Sequence, residues 1–574
     1  MAVWVSDTQI QDQESVVDDT SAPTESAALQ VGKRFTLNKR FTVNKDYVAR
    51  VAAGSVLLAM VLYCVVGAVS INFYSFKLFS NRLDNTMPEG PHVYAAIRSA
   101  ETGQLYHSFR EAPHIMQSYG PLFYLSTTAV ARLSHLDVDL TIRNFRLLSY
   151  LSYLGIALIV FLICKKLSGS IPLSLLAALM MMAQHDFLGW NITVRPDLLM
   201  MLFMVLSLFF AVHMEDRPWT YCVLSGISSG FAFLFKQPGA GVAIAIVLLF
   251  LFWREYRKAI VFSGAAAFPV IVVILGLIWH KEQFLEQLTS VSKGYWSLAG
   301  GAEYLWKAAS KLTYIIPWMI GLLGFARAVK MGKSWQLVAS FALFSVLVAL
   351  SGLPQAGATS NYYIPALVGC ALLMPLAAQS LQGWRYLPAA ALIITPALLF
   401  ATQIGLRYNL GYFHYFKSPQ GMSYAPLRPF RMISDVPLLS MKGHDPELLD
   451  DFALHSLELT GYWDAAPVIE ELRQGQIDLV VLVHLTPHVE YTPRPEFSRI
   501  VIAWRGISEL SPAIVSALNE NYDVFCATPV SVAFKPKNRS LNLSPDFFSA
   551  YFGWKCGANP PGTPPRLVMK ENSR

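Results

Sequence analysis

The stretch NRLDNTMPEGPHVYAAIRSAETGQLYHSFREAPHIMQSYGPLFYLSTTAVARL, residues 81–133, separates the first two long apolar runs of the chain. It carries carboxylates, histidines and tyrosines and is too polar to cross a bilayer. Two parts of it, 91–103 and 121–133, repeat apolar residues at helical spacing on one face, a pattern typical of helices lying in a membrane interface. We therefore interpret residues 71–141 as a long outer loop that follows a first membrane crossing.

The acidic and aromatic side chains of this loop are expected at the outer membrane surface. Asp84 and Glu89 follow the end of the first apolar run, where they would face the outer water. Tyrosine is enriched at membrane–water interfaces because its ring is apolar and its hydroxyl is polar. We therefore expect four tyrosines at headgroup depth: Tyr94, Tyr106, Tyr119 and Tyr124.

The composition of the whole chain indicates a polytopic membrane protein. Of 574 residues, 54% are hydrophobic and 14% are charged, and the mean hydropathy is +0.41. Soluble domains usually carry about 25% charged residues. The net charge is +7, but the basic residues stand in short clusters at the ends of apolar runs. This distribution argues against a nucleic-acid surface.

Apolar runs long enough, or nearly long enough, to span a bilayer recur through the first two thirds of the chain. We predict about eleven membrane-spanning helices in an α-helical polytopic fold. Their approximate bounds are 48–70, 144–163, 171–189, 197–214, 220–235, 239–253, 259–279, 313–329, 335–352, 363–379 and 386–403.

The distribution of Lys and Arg predicts the orientation of these spans. Alternate connecting segments are short and basic, which marks them as cytoplasmic, starting with the N-terminus. We predict a disordered cytoplasmic tail over 1–47, a transmembrane domain over 48–403 and an extracytoplasmic α/β domain over 404–574.

The extracytoplasmic domain is predicted from short patterns. IDLVVLVHL (477–485) and RIVIAW (499–504) have the β-branched, apolar character of buried strands. DPELLDDFALHSLEL (445–459) and SPAIVSALNENY (511–522) have helical spacing, with Asp-Pro and Ser-Pro at their starts. Cys526 and Cys556 lie in this domain, outside the cytoplasm, where cysteines can oxidise, and we hypothesise a disulfide between them.

Polar residues collect at the outer ends of several spans. A charge inside hydrocarbon is unfavourable by about 2.5–3.5 kcal/mol, so charges at span ends on one side avoid most of this penalty. Together they would form an anion site able to hold a lipid phosphate at the membrane boundary. The residues are Arg146 at the second span, Arg195 and Asp197 at the fourth, Lys236 after the fifth, and Asn361 before the tenth.

Several motifs, in this order, resemble the GT-C membrane glycosyltransferases, and within them the bacterial relatives of protein O-mannosyltransferases and of the lipid A aminoarabinose transferase. The resemblance covers most of residues 48–525. Its motifs are MPEGPHVYAAIRSAETGQLYHSF (87–109), SYGPLFYLSTTAVARL (118–133), NFRLLS (144–149), RPDLLMMLF (195–203), FKQPG (235–239) and GYWDAAPVIEELRQGQIDLVVL (461–482).

The resemblance implies transfer of a sugar from a polyprenyl phosphate to a lipid or glycan acceptor on the periplasmic face of a bacterial inner membrane. It implies inversion at the sugar carbon and a carboxylate as general base. The family often has Asp or Asp-Glu where this chain has Pro88-Glu89, and Pro-Pro where it has Gly120-Pro121. The first difference leaves the base open between Glu89 and Asp84. A divalent metal is left open as a cofactor.

The same resemblance assigns the remaining site residues. Lys236, Arg195 and Arg146 are the candidates for binding the phosphate, since fixed cations stabilise a leaving group that departs as an anion. Tyr94 and Tyr119 are candidates for lining the sugar pocket, and Asn361 is a further candidate for contacting substrate.

Each assignment has a plainer alternative in the sequence. Glu89 could cap an interfacial helix, Arg195 could pair with Asp197 to fix the start of a span, and Lys236 could extend its side chain to the interface. The loop histidines (His92, His107 and His114) have no tight metal-ligand spacing.

Two other function classes remain open at this stage. One is a transporter or lipid flippase, although such proteins usually carry internal repeats and broken helices near the bilayer midplane. The other is a non-catalytic receptor or assembly factor that acts through its outer domain.

Overall fold

The computed structural model describes residues 45–81, 89–355, 358, 360–382, 387–416, 425–483, 503–504, 507–508, 510–528 and 531–541. The chain divides into two units, Met1–Tyr47 and Val48–Arg574. Most of the predicted N-terminal tail lies outside the described residues, and the division at residues 47 and 403 into three domains stays a prediction.

Helices dominate the described part of the chain up to residue 416. Their bounds are α1 Lys45–Leu78, α2 Gly90–Thr102, α3 Pro121–Leu133, α4 Val138–Ser168, α5 Ile171–Met182, α6 Phe187–Trp190, α7 Asp197–Val212, α8 Pro218–Phe235, α9 Ala240–Phe252, α10 Tyr256–Trp279, α11 Phe284–Lys293, α12 Leu298–Ala309, α13 Leu312–Ala328, α14 Lys333–Gly352, α15 Ile364–Gln382 and α16 Leu387–Phe416.

Each predicted membrane segment overlaps a helix, although 171–189 continues past the end of α5 at Met182. Within the described residues, six helices are long and apolar enough to cross a membrane, and four shorter apolar helices accompany them. The remaining predicted segment, 220–235, lies in α8. The α-helical polytopic fold predicted from the sequence is confirmed.

Local sequence signals explain where these helices begin and end. At the start of α4, the Asp137 carboxylate accepts a hydrogen bond from the Leu140 N–H (2.7 Å), which satisfies one of the unpaired donors of the first turn. The helix ends at Gly169, whose φ of 67° few other residues adopt readily. Ser170 then caps α5, so one short connection carries both a stop and a start signal.

The long loop predicted over 71–141 contains the two predicted helices, α2 and α3. Its middle part is held by the loop after α10: the Glu282 carboxylate accepts hydrogen bonds from the N–H groups of Leu105 (2.9 Å) and Tyr106 (2.7 Å). The Gln287 side chain likewise accepts one from the Gln117 N–H (2.7 Å). Both loops were predicted on the same side of the bundle, and the structure places them in contact.

Residues 425–541 include a small α/β sheet, as predicted. The elements are β1 Met432–Ser434, α17 Pro437–Ser440, α18 Asp451–Glu458, α19 Ala466–Arg473, β2 Leu479–Val483, β3 Ala503–Trp504, β4 Ile507–Ser508, α20 Pro512–Asn521, β5 Tyr522–Thr528 and β6 Ser531–Pro536. The strands of the sheet lie in the order β1-β2-β6-β5; β1 and β2 are parallel, and the other pairs are antiparallel.

Of the two helices predicted in this region, one has the expected start and the other does not. The Ser511 side chain caps α20 as the Ser-Pro pattern predicts. The prediction that a helix begins at Asp445-Pro446 is wrong, since α18 begins at Asp451. The intervening backbone pairs instead with the outer loop: the His114 N–H donates to the Glu447 carbonyl (3.0 Å). The Glu447 carbonyl and the Leu449 N–H, which bonds to the His114 carbonyl, are therefore unavailable to a helix.

Candidate active site

Five side chains from distant parts of the sequence meet at one end of the helix bundle, and we call them the cation site. The Lys236 ammonium lies 2.7 Å from the Asp197 carboxylate, and the Asn361 amide donates to the same Asp197 oxygen (2.9 Å). Arg195 donates a hydrogen bond to the Tyr119 hydroxyl. The members are Tyr119, Arg195, Asp197, Lys236 and Asn361.

Aromatic rings surround the two cations. The Lys236 nitrogen lies 5.3 Å from the centre of the Tyr119 ring and 5.1 Å from that of Tyr362. The Arg195 guanidinium lies 5.8 Å from the Tyr119 ring and 5.9 Å from the Trp190 ring. Such contacts favour the charged form of both groups and keep water away from them.

Backbone geometry explains why these residues meet. Asp197 is the first residue of α7, where the helix dipole favours a negative charge. Lys236 directly follows α8. The Gly120 N–H donates to the Phe235 carbonyl (3.1 Å), and a Cβ at Gly120 would lie 2.1 Å from the Leu234 carbonyl oxygen. Only glycine allows this approach, which brings Tyr119 beside Lys236.

A second charged group, the buried ion pair, is formed by Glu89 and Arg146. Both side chains are fully buried, and the guanidinium donates two hydrogen bonds to the carboxylate. The Glu89 carboxylate also accepts one from the Val194 N–H (2.7 Å), while Arg146 donates to the Asn81 carbonyl. Both side chains are therefore engaged inside the protein. The predicted roles of Glu89 as base and of Arg146 as phosphate ligand stay predictions.

The buried ion pair and the cation site are connected through the segment between α6 and α7. The Val194 N–H bound by Glu89 directly precedes Arg195. One residue earlier, the Thr193 carbonyl accepts a hydrogen bond from the Ser149 hydroxyl of α4 (2.8 Å). The buried ion pair thus fixes the backbone from which the Arg195 side chain extends.

The cation site contains two positive side chains. Lys236 pairs with Asp197, one of whose oxygens has no hydrogen-bond partner in the described part of the chain, and Arg195 donates to the Tyr119 hydroxyl. Burial, with help from both cations, lowers the pKa of the neighbouring His92 well below its usual range, so this histidine is neutral. A site with two cations surrounded by aromatic rings is suited to an anion.

The other predicted site residues stay predictions. Tyr94 is half-buried in α2 and has Arg98, Asp445 and Glu101 as its charged neighbours. Asp84 lies outside the described residues. Cys526 forms a disulfide, but its predicted partner Cys556 also lies outside the described residues, so that pairing stays a prediction.

Some expectations for the loop and for Lys236 are wrong. Tyr106 and Tyr124 are fully buried in the protein, so they cannot face lipid headgroups. Lys236 is 6% exposed and paired with Asp197, which excludes an interfacial side chain extending to water. Among the described residues, no group of three His, Cys, Asp or Glu side chains could hold a metal ion.

Sequence reasoning missed two members of this neighbourhood. His92, considered only as a metal ligand, packs 4.9 Å from the Tyr119 ring. Asp450, which stands in the C-terminal region far along the chain, acts electrostatically on Arg195. His92 could have been indicated by its position in the same loop as Tyr119. No local pattern could have indicated Asp450.

Comparison with known proteins identifies the fold. Residues 121–279 match the family model described as dolichyl-phosphate-mannose-protein mannosyltransferase. The structure is similar to that of apo ArnT from Cupriavidus metallidurans, with a TM-score of 0.51 and 12% identity, over 84% of this chain and 98% of that one. No curated protein sequence matches the chain.

Two further structures are similar. ArnT from Cupriavidus metallidurans bound to undecaprenyl phosphate has a TM-score of 0.50 and 12% identity, with the same coverage of 84% and 98%. The Archaeoglobus fulgidus oligosaccharyltransferase has a TM-score of 0.40 and 12% identity, over 86% of this chain and 77% of that one. The predicted resemblance to GT-C membrane glycosyltransferases is confirmed, and the fold is of that type.

Proposed function

We propose, from the GT-C fold that the chain shares with ArnT, that this protein is a membrane glycosyltransferase whose sugar donor is a polyprenyl phosphate. The acceptor is a hydroxyl group of a lipid or glycan. The sugar is a hexose or pentose, and the reaction takes place on the periplasmic face of a bacterial inner membrane.

The charge of the cation site is the observation that carries this proposal. Two cations, Arg195 and Lys236, meet here among aromatic rings. A sugar joined to a polyprenyl phosphate is a phosphodiester with one negative charge, which such a pair of cations can bind. ArnT, which has the same fold, has been solved with undecaprenyl phosphate bound.

The chemistry follows from how charge develops on the phosphate. As the bond between the sugar carbon and the phosphate oxygen breaks, the phosphate gains a second negative charge. Lys236 and Arg195, fixed before the reaction, stabilise that charge more than the charge of the donor, and such differential stabilisation lowers the barrier. The acceptor oxygen attacks from the opposite side of the sugar carbon, so its configuration inverts.

Of the two carboxylates proposed as base, only Glu89 lies within the described residues. Asp84 stays a candidate without a described position. Glu89 would have to leave Arg146 and Val194 before it could take a proton from an acceptor. Its contacts support a second role, in which it positions the backbone before Arg195.

Transfer assays with the purified protein test the proposal. Undecaprenyl phosphates carrying mannose, glucose, arabinose or aminoarabinose serve as donors, and an envelope lipid and glycan extract serves as acceptor. We expect transfer from at least one donor, with release of undecaprenyl phosphate. Lys236→Gln should lower turnover about 10²–10³-fold, as loss of one charge-stabilising group does.

The matched control is Lys166→Gln, which removes a lysine from an exposed pair with Asp216. It should leave transfer unchanged. Binding of undecaprenyl phosphate without transfer from any donor would contradict the proposed glycosyltransferase activity and favour a lipid transporter. Equal activity of the Lys236→Gln variant and the unaltered protein would show that Lys236 does not stabilise the leaving phosphate.

A further inference from the structure

The segment between α10 and α13 contains two helices, α11 and α12, which we call the outer strap (residues 284–309). It follows α10, a helix long and apolar enough to cross a membrane, and precedes α13, a shorter apolar helix. Both neighbours carry exposed apolar side chains, such as Phe268 in α10 and Leu322 in α13. Apolar surface of this extent faces lipid in a membrane protein. The outer strap therefore connects two lipid-facing helices on the predicted outer side.

The two sides of α11 are exchanged relative to a surface helix of a soluble protein. Gln287 and Ser290 are fully buried, whereas Leu285 and Leu288 are 63% and 39% exposed. A helix that faces water turns its apolar residues inward. In α11 the polar residues are turned toward the protein instead, and the leucines point away from it.

The hydroxyl groups on the exposed side of α11 are bonded within the helix. Thr289 donates to the Leu285 carbonyl (2.8 Å), and Ser292 donates to the Thr289 carbonyl (2.7 Å). A hydroxyl that bonds to a carbonyl of its own helix can enter an apolar environment without leaving its donor unpaired. This side of α11 is therefore compatible with contact to lipid.

The second helix of the outer strap, α12, has the same arrangement with larger side chains. Leu298 and Trp306 are 82% and 73% exposed. Tyr304 points inward, and its ring stacks on that of Tyr363, with 5.9 Å between the ring centres. The helix thus packs a tyrosine against the protein and turns a leucine and a tryptophan away from it.

The residues that flank the two helices fit the headgroup region of a bilayer. Lys281 lies shortly before α11, Lys293 ends it, and Lys311 directly precedes α13; all three are exposed. Long basic side chains can reach lipid phosphates from a backbone that lies among acyl chains. Trp279 and Trp296, both exposed, belong to the residue type enriched at this depth. Together with the continuity to α10, these features indicate membrane lipid as the molecule that covers the apolar sides.

The inner side of α11 holds the part of the outer loop that leads to Tyr119. Gln287 accepts a hydrogen bond from the Gln117 N–H (2.7 Å) and donates one to the His107 carbonyl (2.6 Å). Within the same loop, the Tyr106 hydroxyl donates to the Tyr119 carbonyl (2.9 Å). Tyr119 is thereby fixed to loop residues that α11 holds.

The inner side of α12 supports another ring of the cation site. Tyr304 stacks on Tyr363, the last residue of a single 3₁₀ turn over Ser360–Tyr363. The residue before it, Tyr362, has its ring centre 5.1 Å from the Lys236 nitrogen. The other ring beside this nitrogen is that of the loop tyrosine held through α11. Each helix of the outer strap thus supports one of the two rings.

We propose that the outer strap lies in the membrane interface, with the apolar sides of α11 and α12 in contact with the acyl chains of bilayer lipids. Through its inner sides it fixes the rings beside Lys236 at a set depth relative to the lipid phosphates. A polyprenyl donor is itself held in the bilayer, so a site for its phosphate must lie at a matching depth. The lipid contact is independent of sugar transfer, whereas the effect on the cation site rests on the proposed function.

Fluorescence quenching by brominated lipids tests the lipid contact. Full-length Leu285→Cys and Leu298→Cys variants are labelled with a bimane dye and placed in nanodiscs whose lipids carry bromine near the ester end of the acyl chains. The free cysteines within the described residues are buried, and the unaltered protein serves as the labelling blank. We expect both labels to lose fluorescence, because the apolar side of an interfacial helix lies among acyl chains.

Two variants define the range of quenching. Phe268→Cys, exposed near the middle of α10, should be quenched most by bromine near the end of the acyl chains, whereas Arg473→Cys, exposed at the end of α19, should not be quenched. Labels at Leu285 and Leu298 that are quenched no more than the label at Arg473 would overturn the inference. Copies of the chain that crosslink through these cysteines while the labels stay unquenched would also overturn it, since a second copy would then cover the apolar sides.

Binding of undecaprenyl phosphate in nanodiscs tests the effect on the cation site. Gln287→Leu removes the hydrogen bonds between α11 and the outer loop, and Tyr106→Phe removes only the hydroxyl that bonds to Tyr119. Each should weaken binding by at least about 2–10-fold, the contribution of one hydrogen bond. Gln283→Leu, at the exposed position before α11, should bind as the unaltered protein does.

The two measurements separate the parts of the inference. Tyr106→Phe keeps its ring, so its fold should persist even if Gln287→Leu lowers the melting temperature. Unchanged binding in both variants would contradict the effect on the cation site and leave the lipid contact to be judged by quenching. If the unaltered protein binds no undecaprenyl phosphate and transfers no sugar, the proposed function fails, and quenching still decides whether the outer strap contacts lipid.

Discussion

The buried ion pair and the cation site both combine acidic and basic side chains, but their roles differ. Glu89 and Arg146 are fully buried, balanced in charge, and bonded to each other and to the backbone. In the cation site, two cations lie close to the same Tyr119 ring, and one carboxylate oxygen of Asp197 has no hydrogen-bond partner within the described residues. A pair of opposite charges bonded to each other supports structure, whereas a cluster of two cations can hold an anionic ligand.

This difference shows why proximity to a candidate site does not define a catalytic residue. Glu89 stands where the family pattern leads one to expect a base, yet its oxygens already accept hydrogen bonds from a guanidinium and a backbone N–H. Its contribution reaches the cation site through Val194, the residue before Arg195. The contrast can be tested by making equivalent changes in both places.

The largest effect is expected from breaking the buried ion pair on one side. Arg146→Met leaves the Glu89 carboxylate buried without its cation and should destabilise the fold by about 3–5 kcal/mol. Adding Glu89→Gln removes the stranded charge and keeps an acceptor for the Val194 N–H, so the double variant should recover much of this loss. Melting temperatures of the two variants in detergent measure the difference.

Transfer activity of the same double variant sharpens the comparison. If the pair only positions the segment before Arg195, a folded double variant should keep a substantial part of its turnover. A well-folded but inactive double variant would instead assign Glu89 a chemical role and count against a purely structural one.

The equivalent double change in the cation site should have the opposite outcome. Lys236→Met with Asp197→Leu removes a buried pair without stranding either charge, so the fold should persist. Turnover should nevertheless fall at least about 10²-fold, the loss expected when a stabilising charge is removed. Transfer rates and undecaprenyl phosphate binding, measured beside the melting temperature, check this, and retained binding would show that the anion is held elsewhere.

A smaller effect is expected at the contact that brings Tyr119 to Lys236. Gly120→Ala would place a methyl group 2.1 Å from the Leu234 carbonyl oxygen, so the backbone must shift. Such overpacking destabilises by about 1–3 kcal/mol. We expect a lower melting temperature and weaker binding of undecaprenyl phosphate than in the unaltered protein.

The control for this change is Gly54→Ala, because a Cβ at Gly54 meets no atom within 4 Å. It should leave binding unaltered. If Gly120→Ala binds undecaprenyl phosphate as tightly as the control does, the close approach of the loop to α8 is not needed for the site.

Much of the fold could be predicted from the sequence because membrane helices are encoded locally. Long apolar runs must satisfy their own backbone hydrogen bonds in lipid, so each run predicts a helix without knowledge of its neighbours. Short signals at helix ends, such as Asp137 before α4 and Ser511 before α20, also act within a few residues. The start of α18 could not be predicted this way, because the pairing of 447–449 with His114 comes from a distant loop.

The candidate site likewise has one part that the sequence predicts and another that depends on how the segments pack. The sequence by itself determined which cations lie at span ends, since charge inside hydrocarbon is unfavourable, and so indicated Arg195 and Lys236. Only the tertiary structure decided which carboxylate each cation meets: Glu89 with Arg146 and Asp197 with Lys236. The physical reason is range: hydrophobicity acts on each segment alone, whereas an ion pair depends on distances that exist only after the segments have packed.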